Sequence, residues 1–164
     1  MELRELTSRW HSSGIKNGDC VLLHSNVKRL IRELIRAGIK SPIDFILDSF
    51  LNAVGDNGTL MIPLFNFDFC SGVPFDVKRT VSQMGALTET ARLRCNGLRS
   101  GHPVYSFCAF GPYAAEIHAM NNISAYAEDS PFSFLRRVDG KIAALDLEDQ
   151  GSMTFYHHVE EICG

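Results

Sequence analysis

Ser41 to Phe65, SPIDFILDSFLNAVGDNGTLMIPLF, carries one complete helix-to-strand unit. Ser41 stands where an N-cap belongs, Pro42 takes the first helical position and Asp44 puts a negative charge in the first turn. Phe45, Ile46, Phe50, Leu51 and Val54 recur along one helical face, and Gly55 stops the run. Asp56-Asn57-Gly58 then turns the chain into Thr59 to Phe65, a nearly unbroken apolar stretch. A strand of that composition is covered on both faces, so this segment alone predicts a sheet held between helices.

The flanking segments repeat the alternation. Asp19 to His24 (DCVLLH) follows the turn Asn17-Gly18 and reads as the first strand, and Val27 to Ala37 sets Leu30, Ile31, Leu34 and Ile35 on one helical stripe. Phe67 to Gln83 is turn-rich and reads as a long functional loop, followed by a helix over Gly85 to Cys95. Val104 to Phe110 is aromatic and β-branched, hence a strand. Tyr113 to Met120 reads as a short helix, and Ser130-Pro131 opens another through Leu135. Lys141 to Leu147 reads as a strand and Thr154 to Ile162 as the closing helix. The expected fold is α/β: a three-layer sandwich whose mixed or parallel central sheet has about four strands, with about five or six helices over both faces.

Composition narrows the function. The 164 residues suit a single domain, and 45% hydrophobic with 21% charged residues excludes disordered, collagen-like and coiled-coil classes. No apolar run approaches the roughly 18 residues of a membrane span, and MELRELTSRW lacks the apolar stretch of a secretory signal, so cytoplasmic residence without a membrane partner is expected. Sixteen Lys and Arg against nineteen Asp and Glu leave no basic surplus, which argues against nucleic acid as a partner. The five cysteines fit neither a disulfide framework nor a CxxC knuckle and read as reduced, mostly buried thiols.

Four constellations bear chemistry. In TFYHHVEE, His157 lies one helical turn from Glu160 and Glu161, so a carboxylate can orient its imidazole as a general base; a solvated His–Glu surface pair has the same spacing. A zinc site on His157 and Glu161 lacks an evident third ligand, and no metal is expected. In Arg99-Ser100-Gly101-His102-Pro103, the proline biases His102 toward an extended backbone at a strand mouth, where ligand groups gather. His24-Ser25-Asn26-Val27-Lys28-Arg29 runs from strand end to helix start, where backbone N–H groups and cations could hold phosphates, although the glycines of a nucleotide motif are missing. In Phe65-Asn66-Phe67-Asp68-Phe69, Asp68 could meet a cationic amine or merely shape a turn, and Thr80 to Gly85 enters a helix whose amides could face an anion.

Taken in order, GDCVLLHSNVK, AVGDNGTLMIPLFNFDF, PFDVKRTVSQMGALTE, RSGHPVYSFCAFG, SPFSFL and TFYHHVEE resemble the antibiotic N-acetyltransferase family, best known for the aminoglycoside 3-N-acetyltransferases. The resemblance implies transfer of acetyl from acetyl-CoA to an amine of a small-molecule aminosugar. It implies that His157 is the base, with Glu160 orienting it. It implies that Ser25, Asn26, Val27 and Lys28, together with Thr80, Ser82 and Met84, contact the cofactor. Asp68 and His102 are the expected substrate contacts. The chain departs from the family pattern at Tyr105, where many members carry a histidine, and at Thr80-Val81-Ser82, where Thr-Pro-Ser is familiar. Typical members also continue past this closing helix, so a shortened domain is expected. The helix then waits for a continuation or for a partner chain, a homo-oligomer included. The alternative is a shortened, non-catalytic relative that at most binds coenzyme A; a further one is a metal-dependent hydrolase using His102, His157 and Glu161.

Overall fold

Strand β1 (Cys20–Ser25) runs inside a four-stranded sheet, with β2 (Thr59–Pro63) and β4 (Lys141–Leu145) parallel to it on either side. The fourth strand, β3 (Phe107–Phe110), pairs antiparallel with β2 and gives the order β3-β2-β1-β4. This computed structural model describes residues 1–147 and 153–164.

Alternation along β1 sends Val21 and Leu23 to one face and Cys20, Leu22 and His24 to the other. Over the first face lie α1 (Leu3–Ser12), α2 (Lys28–Arg36), α3 (Pro42–Val54) and α4 (Ala86–Arg94), which bury Leu6, Trp10, Leu34, Phe50 and Leu87 against Leu60 and Ile62. Trp10 stacks on Phe50 with centroids 4.3 Å apart, and its Nε1 donates to Ser49 Oγ at 2.7 Å. Over the second face lie α5 (Ala114–Ala119), α6 (Pro131–Arg137) and α7 (Phe155–Cys163), whose Ile117, Phe132 and Phe155 pack towards Leu22, Met61 and Phe107. The three-layer sandwich with a mixed sheet is therefore the fold, and β2 is buried at all five positions.

The departures have local causes. Helix α1 is absent from the sequence reading because its two inward residues, Leu6 and Trp10, are four apart in an otherwise polar stretch. Ile35 is 57% exposed, since α2 turns Leu30, Ile31 and Leu34 towards the core and leaves Ile35 outside that stripe. Regular strand geometry in β2 and β3 stops short of the expected ends. The backbone bonds Leu64 N–H to Ser106 and Asn66 N–H to Val104 still join the segments that continue them. Ser41 makes no side-chain cap, leaving Pro42 to start α3, whereas Ser130 caps α6 by accepting from Ser133 N–H. No helix among the described residues is long and apolar enough to cross a membrane.

Candidate active site

A cleft of about 400 Å³ opens at the carboxyl ends of β1 and β2, beside the end of β4. Ligands gather there in open α/β sheets because loops diverge from the strand ends. His24 and Ser25 close β1, Pro63 and Phe65 come from the end of β2 and beyond it, and Met84 and Thr88 come from the start of α4. Phe67, Tyr105, Leu147, Thr154 and His157 complete the lining.

The placement of His157 follows from its neighbour. His158 is fully buried, and its Nδ1 donates to the Tyr126 carbonyl, while Phe155 packs edge-on against Phe132 and His158. Those anchors set the rotation of α7. Because adjacent helical residues diverge by about 100°, His157 turns to the cleft mouth. Its Nδ1 meets Glu160 Oε2 at 2.8 Å, and its ring packs beside Tyr126. Glu161 is engaged elsewhere, accepting from Ser124 Oγ with both oxygens at 2.8 Å. The His157 side chain is 57% exposed, open both to solvent and to a ligand.

Of the other expected site residues, Ser25 and Met84 share the cleft with His157. Val27 is buried at the start of α2. Asn26 fastens that turn, its N–H donating to the Leu145 carbonyl at 2.7 Å and its Oδ1 accepting from Lys28 N–H. Lys28 is exposed. Ser82 shapes the entry to α4. Its N–H donates to Glu89 Oε2 at 2.9 Å, and its Oγ accepts from Met84 N–H and bonds Thr88 Oγ1. Two of the amides expected to face an anion are thus already engaged within the chain.

Three of the expected site residues are absent from this cleft's lining. His102 is buried and absent from the cleft lining, because its Nδ1 accepts from the N–H groups of Val104 and Tyr105 and folds the ring onto its own turn. Asp68 sits outside the cleft, in a 3-10 turn (Asp68–Ser71), where it accepts from Gln83 Nε2 at 2.8 Å and from Asn66 Nδ2. Asp68 and Thr80 line a separate hollow of about 170 Å³. Thr80 is held there by structure, its Oγ1 accepting from Asp76 N–H and its carbonyl from Arg99.

Arg99 organises that region. Its guanidinium is buried, donates to Ser106 Oγ and to the carbonyls of Leu64 and Thr80, and covers the Phe75 ring. Burial draws its pKa down to about 10. Tyr105, flanked by Phe65 at 5.0 Å and Tyr126 at 5.1 Å, forms an aromatic wall. His24, singled out only as the start of a constellation, is 93% buried in the cleft wall by its 7% residual exposure. Burial pushes its pKa down to about 4, so the ring is neutral near pH 7. The available signal was a polar residue at an inward-facing position of an apolar strand.

Residues 22–164 match the family described as Aminoglycoside 3-N-acetyltransferase. The aminoglycoside N(3)-acetyltransferase IX of Micromonospora chalcea is 28% identical over 91% of this chain and 58% of its own length. The aminoglycoside N(3)-acetyltransferase VII of Streptomyces paromomycinus is 26% identical over 91% and 56%. The chain thus spans somewhat more than half the length of these curated relatives. Among solved structures, AAC-IIIb in a binary complex with CoASH superposes with a TM-score of 0.79 at 25% identity, over 99% of this chain and 65% of that one. The YokD protein of Bacillus subtilis superposes with a TM-score of 0.83 at 21% identity, over 98% and 70%, a likeness of fold. With a family match across most of its length, and a cleft built at the strand ends of the matching fold, this chain belongs to the aminoglycoside 3-N-acetyltransferase family.

Proposed function

We propose that this chain transfers an acetyl group from acetyl-CoA to an amine of an aminoglycoside or related aminosugar, with His157 as general base. The observation that carries the reading is His157, paired to Glu160 at 2.8 Å, standing at the mouth of a cleft that also holds Ser25 and Met84. Acetyl-CoA supplies the acyl thioester. The lining fits that group: Pro63, Phe65, Met84 and Leu147 offer apolar contact to an acyl and pantetheine chain. Exposed Lys28, beside the Ser25–Val27 turn, offers a cation to phosphates.

An ammonium has no lone pair, so the acceptor must lose a proton before or during attack. His157 takes that proton as the nitrogen bonds to the acyl carbon and the carbon–sulfur bond breaks, then returns it to the departing sulfur. A positioned base of this kind contributes typically ~10²–10⁴-fold. Glu160 fixes the ring and stabilises the imidazolium that forms. Glu160 brings negative charge to the approach of a cationic acceptor. The compartment proposed is the cytoplasm, with no nucleic acid or membrane partner.

The test follows thiol release from acetyl-CoA with a panel of aminoglycosides and simpler aminosugars. Turnover that disappears in His157→Ala supports the reading. Turnover that survives the substitution overturns the role of His157. Calorimetric binding of coenzyme A beside silence on every amine would favour the non-catalytic alternative.

A further inference from the structure

Helix α7 carries His157, yet His158 is its one buried residue, and Thr154 at its start makes no side-chain cap. An irregular stretch between α5 and α6, residues 122–126, holds it in place. That stretch is itself tied down. Asn122 is buried and donates from Nδ2 to the Ser124 carbonyl at 2.7 Å, and Tyr126 N–H donates to Ser124 Oγ. The Ile123 carbonyl faces the buried ring of His102. Three contacts then reach α7. Ser124 Oγ bonds both carboxylate oxygens of Glu161 at 2.8 Å, and the Tyr126 carbonyl accepts from His158 Nδ1. The Tyr126 ring packs on the His157 imidazole with centroids 5.3 Å apart. The same ring also packs on Tyr105 of the cleft wall at 5.1 Å and on Phe132 at 5.5 Å.

A base must lie within hydrogen-bond reach of the proton it takes, and a misplacement of about 1 Å can cost about 10²-fold in rate. We infer that Ser124 and Tyr126 are positioning residues for His157, which set α7 against the cleft so that the imidazole stands at its mouth. This rests on the acyltransfer reading above. Neither residue lines the cleft, so both act through His157. His158 and Glu161 are three residues apart and share one side of the helix, so bonds to both fix its rotation. The Tyr126 ring limits the swing of the half-exposed imidazole, whose Nδ1 is held by Glu160. Ser124 has a second effect. Glu161 stands four residues after His157, a spacing at which helical side chains meet, so a released Glu161 would compete with Glu160 for the ring. Ser124 keeps it engaged elsewhere.

In the thiol-release assay, Ser124→Ala and Tyr126→Leu should each lower kcat about tenfold while KM for acetyl-CoA stays within about twofold. Ser124→Thr keeps the hydroxyl and Tyr126→Phe keeps the ring, so each should recover most of that loss. Proton NMR reads the contact without turnover. The imidazole resonance of His157, assigned by its absence from His157→Ala, lies in the ring current of Tyr126. It should move in Tyr126→Leu and far less in Tyr126→Phe. If Tyr126→Leu fails to fold, the contrast between Ser124→Ala and Ser124→Thr decides. An unchanged kcat in Ser124→Ala and Tyr126→Leu, or an imidazole resonance that ignores the loss of the Tyr126 ring, overturns the positioning role and leaves the acyltransfer reading standing. Wild-type protein that acetylates no amine overturns the acyltransfer reading, and with it the catalytic part given to Ser124 and Tyr126.

Discussion

Glu160 holds Nδ1 of His157 at 2.8 Å from one turn further along α7. Among the described residues, that carboxylate makes no other side-chain hydrogen bond or ion pair. His157→Ala should therefore remove about 10²–10⁴-fold of kcat, and Glu160→Gln about tenfold, in the thiol-release assay. Both side chains are mostly exposed, so each substitution should change unfolding free energy by under about 0.5 kcal/mol. A large loss of stability would instead make the pair structural.

The buried ring of His24 makes stability depend on pH. Its folded pKa is depressed to about 4 by burial from an ordinary 6.5. The unfolded chain therefore takes up a proton as pH falls through about 6.5, and the folded chain does not until about 4. Stability is present in full above the unfolded value and is lost across that window. Urea unfolding at pH 7 and pH 4.5 should show the wild type losing about 2 kcal/mol more than His24→Phe, which has no ring to protonate. Equal losses in the two proteins would contradict the burial of the imidazole.

Arg99 is the tie between the segment after β2 and the approach to β3. It donates to the Leu64 carbonyl and to Ser106 Oγ from within the protein, and to the Thr80 carbonyl across the loop. Arg99→Met keeps much of the length and removes the donors, stranding the Thr80 carbonyl and leaving the Leu64 carbonyl only its bond from Ser106 Oγ. The expected loss is about 3 kcal/mol or more in unfolding free energy. Hydrogen exchange should rise across 64–83 before it rises in α3. Lysine cannot restore the forked geometry, so Arg99→Lys should recover less than half of the loss.

Thiol labelling should separate the five cysteines into two groups. Cys70 and Cys163 are exposed, whereas Cys20, Cys95 and Cys108 are buried. Two should react quickly in the native protein and the rest only on unfolding. Cys95 is the informative case. The neighbouring Cys108 and His118 draw its pKa down against the opposing effect of burial, and that lowering favours the thiolate, yet access still limits its rate. Fast labelling of Cys95 in the native state would show that the end of α4 opens.

The helix over Ser41 to Val54, the fully buried second strand and the alternation of elements were legible in the sequence, because hydrophobic periodicity reports which face of an element avoids water and needs no knowledge of its neighbours. Helix α1 escaped because two inward residues, Leu6 and Trp10, are too few to form a pattern. The site was less legible. His102 and His24 both sit beside chemistry-bearing neighbours in the sequence, yet one closes its own turn and the other lines the cleft. Asp68 and Met84 flank the same loop, and only Met84 enters the cleft. Such outcomes depend on long-range hydrogen bonds, above all those of Arg99 to Leu64, Thr80 and Ser106, and on the buried His158 that turns α7. Periodicity is a one-dimensional record of burial and so determines layers. The facing of a single polar ring is settled by whichever distant carbonyl or amide the folded chain brings within about 3 Å.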